Sequence, residues 1–176
     1  ISFDNIKVGE LMAGYVVEKK PSGNYIILGG DKFDQNAVWL KEGVMNVLKP
    51  HISDGRIDII YDVFVNEWSG DNAAYHIGKV LSFTDKRVDA ILSFYDGMSD
   101  GVIPVLRNQG ISGEVILTGQ DADLYACHHI LDGEQDMTIY KSLKNLAHTA
   151  AETAYSIATG KKPEGINSSV DNGRIE

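Results

Sequence analysis

The stretch Asn24-Tyr25-Ile26-Ile27-Leu28, running into Gly29-Gly30-Asp31-Lys32-Phe33-Asp34-Gln35-Asn36, decides the fold of this 176-residue chain. Its first half is β-branched or aromatic and almost continuously apolar, which suits a strand covered by helices on both faces. Its second half is a polar, glycine-containing loop. On either side lie segments of helical period. Upstream, Val8, Leu11, Met12, Tyr15 and Val16 fall at i, i+3, i+4, i+7 and i+8 and form one apolar face. Downstream, Val38, Leu40, Val44, Val47 and Leu48 predict a second helix, closed by Lys49-Pro50.

The same alternation continues along the chain. Further strands are expected at 57–65, 90–94, 114–117 and 137–140. Between them, Ala74, Ile77, Val80 and Leu81 mark a third helix, and Val102, Val105 and Leu106 a fourth that ends at Gly110. Leu124, Cys127, His128 and Leu131 mark a fifth, ended by Gly133. The longest apolar face, from Leu143 through Leu146, Ala150 and Ala154 to Ile157, ends at Gly160. Five strand–helix repeats imply an α/β fold: a doubly wound, mostly parallel sheet with helices on both faces.

Composition narrows the function. Hydrophobic residues at 43% and charged residues at 23% are ordinary for a globular protein. A net charge of −9 argues against nucleic acid, whose phosphates call for clustered Lys and Arg. The single Cys127 allows no intrachain disulfide and no cysteine cluster for a metal, and reads as a half-buried small apolar residue. Neither a cofactor nor a metal is expected. No apolar stretch approaches the ~18 residues of a membrane span. The chain opens at Ile1, which reads as a mature or trimmed product.

Ligands of open α/β sheets bind beyond the carboxyl ends of the strands. Those positions hold Asp34 and Asn36 after the first strand, Trp68 after the second and Tyr95 after the third. Asp121 follows the fourth and Lys141 the fifth. Carboxylates and amides with one ammonium and two aromatics suit a sugar, whose hydroxyls both donate and accept and whose C–H faces stack on rings. Helix capping is an alternative role for Asp34, Asn36, Asp121 and Asp123, packing for Trp68, and a solvated strand end for Lys141.

Two enzyme-like patterns lose on inspection. Gly97-Met98-Ser99-Asp100-Gly101 spells a nucleophile elbow, and Asp121 with His128, His129 or His148 completes the order of a triad. All three histidines, however, fall within helices. Asp96, Thr118 and Lys141 end strands as in a phosphoryl receiver domain, but the acidic pair such a domain needs for Mg²⁺ is missing. Thr159-Gly160-Lys161-Lys162 is no phosphate loop, Asn167-Ser168-Ser169 is a glycosylation sequon by spelling only, and His128 and His129 point to different sides of a helix.

Several motifs carry a resemblance. Ile1-Ser2-Phe3-Asp4-Asn5 with Val8-Gly9-Glu10-Leu11, Thr118-Gly119-Gln120-Asp121-Ala122-Asp123-Leu124, Met137-Thr138-Ile139-Tyr140-Lys141 and Asn145 to Glu152 resemble type I periplasmic sugar-binding proteins of the xylose-binding kind. The resemblance implies a two-lobed, hinged, extracytoplasmic carrier that closes on a monosaccharide and hands it to an ABC transporter permease, with no catalysis. Asp34 and Asn36 would hydrogen-bond the sugar, Trp68 would stack on it, Asp121 would accept from hydroxyls and Lys141 would donate. Tyr95 departs from the family, which has Asn there, so another pentose or a hexose is as compatible as xylose.

The resemblance further implies that residues 1–141 are the C-terminal sugar-binding lobe. Residues 142–176 would then be a helix and return segment of an absent N-terminal lobe. The apolar face of helix 142–159 would be covered by that lobe or by a second copy, and a half-site would bind weakly. Other roles of the same fold are a sugar-sensing subunit docked on a membrane histidine kinase and the effector core of a repressor; a small hydrolase is the enzymatic alternative.

Overall fold

The computed structural model describes residues 1–163. The chain divides into two compact units, one of Asn5–Ile139 and a smaller one of Ile1–Asp4 with the segment from Tyr140 onward. The large unit runs α1 (Asn5–Lys19), β1 (Gly23–Gly29), α2 (Gln35–Ser53), β2 (Ile57–Phe64), a 3₁₀ turn at Asn66–Trp68, α3 (Gly70–Phe83), β3 (Ala90–Ser93), α4 (Asp96–Asn108), β4 (Ile116–Leu117) and α5 (Leu124–Leu131). The strands form one parallel sheet in the order β2-β1-β3-β4. The fold is therefore the α/β sheet expected, with β1 and β3 at its centre.

Central strands are buried on both faces, as their apolar sequences require. Tyr25, Ile26, Ile27 and Leu28 of β1 and Ala90, Ile91 and Leu92 of β3 are inaccessible to solvent. β2 is different: it is an edge strand of the sheet, and Asp58 and Asp62 face solvent. Lys41 pairs with Asp62 at 2.7 Å and lies over the Phe64 ring at 4.5 Å, which covers part of that edge with charge.

The helices dock in pairs through glycines. α1 meets α2 where Gly9 faces the Leu40 carbonyl and Gly43 faces the Ile6 carbonyl; a Cβ on either glycine would collide with backbone. α3 meets α4 in the same way at Gly70 and Gly101, each lying against the other's backbone. Such close approach leaves no room for side chains at the crossing and fixes the helices by backbone contact.

Five expectations need correction. The strand expected at 137–140 is reduced to one parallel bridge between Ile139 and Gln120, and that at 114–117 is trimmed to two residues. Pro50 does not close α2: the helix runs on to Ser53, since a proline near the end forfeits only one intrahelical bond, to Asn46. α5 turns its apolar residues outward, with Leu124 75% and Leu131 82% exposed and Ala126 the residue it buries. Cys127 is accordingly exposed, not half-buried.

In the smaller unit, α6 (Leu143–Ala158) begins at Ser142, whose hydroxyl caps the Asn145 N–H at 3.2 Å. No helix residue is buried in it. The sequon Asn167-Ser168-Ser169 and the last part of segment 142–176 lie outside the described residues.

Candidate functional site

Hydrogen bonds that span long sequence distances tie the loops at the carboxyl ends of the strands in two groups. Asp31, after β1, accepts the Phe33 N–H at 2.8 Å and the Glu67 N–H at 2.7 Å, tying the β1 loop to the β2 loop. Those two bonds hold its carboxyl below the usual carboxylate range. They also support strained backbone, because Glu67 and Trp68 are consecutive left-handed residues with φ of 57° and 54°. The strain aims the indole inward: the Trp68 ring lies across Gly30, where a Cβ would collide with it.

Asp96 anchors the opposite side. It is fully buried at the start of α4, and its carboxylate accepts the Asp123 N–H at 2.9 Å, Gln135 Nε2 at 3.0 Å and the Thr138 hydroxyl at 2.9 Å. Burial pushes its pKa up, and the three donors pull against that. Gly119 must be glycine because a Cβ there would meet the Asp96 carboxylate and Gln135. The loop held this way carries the second left-handed pair, Asp121 at φ 98° and Ala122 at φ 56°. The Asp121 N–H bonds to the Ile139 carbonyl at 2.9 Å, and the Ala122 N–H to the Thr138 hydroxyl at 3.1 Å. Among the described residues these two pairs are the non-glycine residues with left-handed backbone, and both stand beside candidate ligand-binding side chains, where stored strain is often found.

The candidate residues fall as follows. Asp34 caps α2, its Oδ1 accepting the Asn36 N–H at 2.8 Å, so the capping role expected as an alternative is present. Asn36 is exposed and accepts from Asn5 Nδ2 at 2.7 Å. Trp68 meets Tyr95 edge-on, the rings 6.4 Å apart at 88°. The Tyr95 ring lies over Gly97. Asp121 is exposed on the β4 loop. Five of the six thus sit on one unit, at the strand ends. Lys141 belongs to the smaller unit, where its ammonium stands 5.9 Å from the centre of the Phe3 ring. Asp31, Asp96 and Thr138 were not singled out as supports from sequence; the available signal for Asp96 was a carboxylate soon after an apolar strand.

The residues of the nucleophile-elbow pattern make structural contacts. Ser99 is buried, and its hydroxyl engages the Thr118 carbonyl at 2.7 Å, the Ser93 hydroxyl at 2.9 Å and the Tyr95 carbonyl at 3.2 Å, with no histidine among these partners. His129 contacts Asp100 at 2.8 Å and Glu134 at 3.4 Å instead. Among the described residues no group of three or more His, Cys, Asp or Glu is placed to hold a metal.

The family model for the periplasmic binding protein domain matches residues 1–162. The chain belongs to that family. It is 40% identical over 173 residues to the D-xylose-binding periplasmic protein of Escherichia coli K12, covering 98% of this chain and 52% of that protein. A carbohydrate transporter solute-binding protein of Chloroflexus aurantiacus, solved with D-glucose, superposes with a TM-score of 0.88 at 25% identity, over 99% of this chain and 59% of that one. An ABC transporter solute-binding protein of Clostridium phytofermentans, solved with β-D-glucose, gives 0.84 at 28% identity, over 98% and 58%. This periplasmic binding protein domain therefore spans about half the length of the curated relatives it matches.

Proposed function

We propose that this domain binds a monosaccharide outside the cytoplasm and, without catalysing a reaction, presents it to the permease of an ABC transporter. Trp68 is the stacking platform, Asp34, Asn36 and Asp121 hydrogen-bond hydroxyls, Tyr95 stands beside Trp68, and Lys141 donates. Residues 1–141 act as the C-terminal sugar-binding lobe and residues 142–176 belong with an N-terminal lobe.

One observation carries the reading: an indole on left-handed backbone lying across Gly30 and edge-on to Tyr95, at the strand ends that also carry Asp34, Asn36 and Asp121. A flat apolar face beside several hydrogen-bonding groups matches a pyranose ring, which has both surfaces. The sugars named for the relatives and solved structures point the same way.

Isothermal titration against aldopentoses and aldohexoses tests it. Saturable heat for one sugar, reduced at least tenfold in affinity by Trp68→Ala and by Asp121→Ala, is the expected result. Heat unchanged by both substitutions would remove the strand-end site.

A further inference from the structure

Beyond β1 and β2 the ladder between them continues through a side chain. The Val65 N–H donates to the Gly29 carbonyl at 3.0 Å. Two residues further along each segment, the Glu67 N–H donates at 2.7 Å to Asp31 Oδ2, a carboxylate standing where a backbone carbonyl would serve in a strand. The other oxygen, Oδ1, accepts the Phe33 N–H at 2.8 Å, and the Asp31 carbonyl accepts the Asp34 N–H at 3.0 Å. One residue thus shapes both the turn that leads to Asp34 and the turn that carries Trp68.

The second turn needs such a grip. Glu67 and Trp68 are both left-handed, a conformation disfavoured for any residue with a Cβ. The flanks of the turn are held by α3, where Asn72 Nδ2 donates to the Asn66 carbonyl at 3.2 Å and the Ser69 hydroxyl caps the Asn72 N–H at 3.3 Å. The Asp31 bond falls between those flanks, on a left-handed residue itself. Both Asp31 oxygens face N–H donors, and those donors, Phe33 first and Glu67 second, hold its carboxyl below the ordinary range. An amide is no substitute there, since it keeps one acceptor and turns an NH₂ group toward a second N–H.

We propose that Asp31 is a positioning residue for ligand affinity: by bonding the Glu67 N–H it holds the Glu67-Trp68 turn left-handed and keeps the indole across Gly30, ready to stack. The inference rests on the sugar-binding reading and adds a residue that acts on the ligand only through Glu67 and Trp68. A platform ordered in advance removes that ordering from the binding step.

The test is a double-mutant cycle. D-Xylose, D-glucose and the other aldopentoses and aldohexoses are titrated into the full chain, Asp31→Asn, Glu67→Gly and the double variant, with thermal midpoints to check that each is folded. Asp31→Asn should weaken the sugar that binds on the order of tenfold, the worth of one hydrogen bond to a charged group. Glycine adopts positive φ freely, so Glu67→Gly lets the turn stay left-handed without the Asp31 bond. In that background Asp31→Asn should weaken binding by less than about threefold. An equal loss in both backgrounds would make Asp31 a direct ligand of the sugar, and no loss in either would make it a bystander; each overturns the inference.

A second readout needs no ligand. In a Trp39→Phe background the emission reports Trp68 alone, since the chain has two tryptophans. Asp31→Asn should move that emission to longer wavelength and make it easier to quench with acrylamide, as the indole leaves Gly30, and adding Glu67→Gly should reverse both changes. An emission that Asp31→Asn leaves unmoved overturns the positioning role. Absence of binding by every sugar overturns the sugar-binding reading and the affinity role with it, while the emission still judges whether Asp31 holds Trp68.

Discussion

α4 and α6 carry comparable apolar stripes and have opposite fates. α4 buries Met98, Val102, Ile103 and Leu106 together with the polar Asp96 and Ser99, whereas α6 buries nothing and leaves Leu143 73% and Ile157 63% exposed. An amphipathic pattern states that a face needs a cover, not which chain or segment supplies it. α4 is covered because Gly70 and Gly101 let α3 approach to backbone contact and because its first turn lies under the strand ends. Among the described residues nothing comparable fixes the stripe of α6.

Substitutions can break or sharpen this contrast. The largest effect should come from the core of the large unit. Gly43→Ala drives a methyl into the Ile6 carbonyl where α1 crosses α2, and should cost about 3 kcal/mol in urea unfolding. An unchanged midpoint would mean that the two helices can part without loss, and that backbone contact is not what holds them.

An intermediate effect belongs to the first turn of α4. Asp96→Ala strands three donors and should cost about 2 kcal/mol. The pH dependence gives a finer test. Burial raises the pKa of Asp96 above its ordinary 3.8, so the folded chain holds that proton more tightly than the unfolded one. The contribution of this group to stability therefore grows as pH falls through the raised value toward 3.8, and falls as pH rises through the same window. Asp96→Asn should remove that component of the slope when unfolding midpoints are compared across the window. Asp136, raised chiefly by burial, contributes with the same sign and stays in the variant as a background.

The smallest effect should be at α6. Leu143→Ser and Ile157→Ser should each change stability by less than about 0.5 kcal/mol, as exposed sites do. A loss of 2 kcal/mol or more in either would show that the stripe is covered in solution, and would join α6 to α4 as a packed helix.

The strand ends show how far a sequence reading reaches. Trp68, Tyr95, Asp34 and Asp121 were legible because a strand-to-helix junction can be located from the switch between continuous apolar runs and helical spacing. Asp96 was visible only as a carboxylate after a strand, and Asp31 only as part of a polar loop. Their partners lie at Glu67 and Thr138, 36 and 42 residues away, and no local pattern couples them. β2 shows the converse failure. Its run of apolar residues resembles a central strand, yet it ended at the sheet edge, because strand order depends on how the crossovers turn.

From sequence alone, this chain was bound to alternate strands with helices and to gather polar and aromatic residues beyond the strand ends. Periodicity is local, and a buried face must be apolar wherever it is buried. Tertiary structure decided the rest: which strand lies at the edge, that residues 137–140 contribute one bridge and not a strand, and that Glu67, Trp68, Asp121 and Ala122 are held left-handed. These outcomes rest on hydrogen bonds and glycine contacts between distant segments, whose free energy exists only once the chain has brought them together.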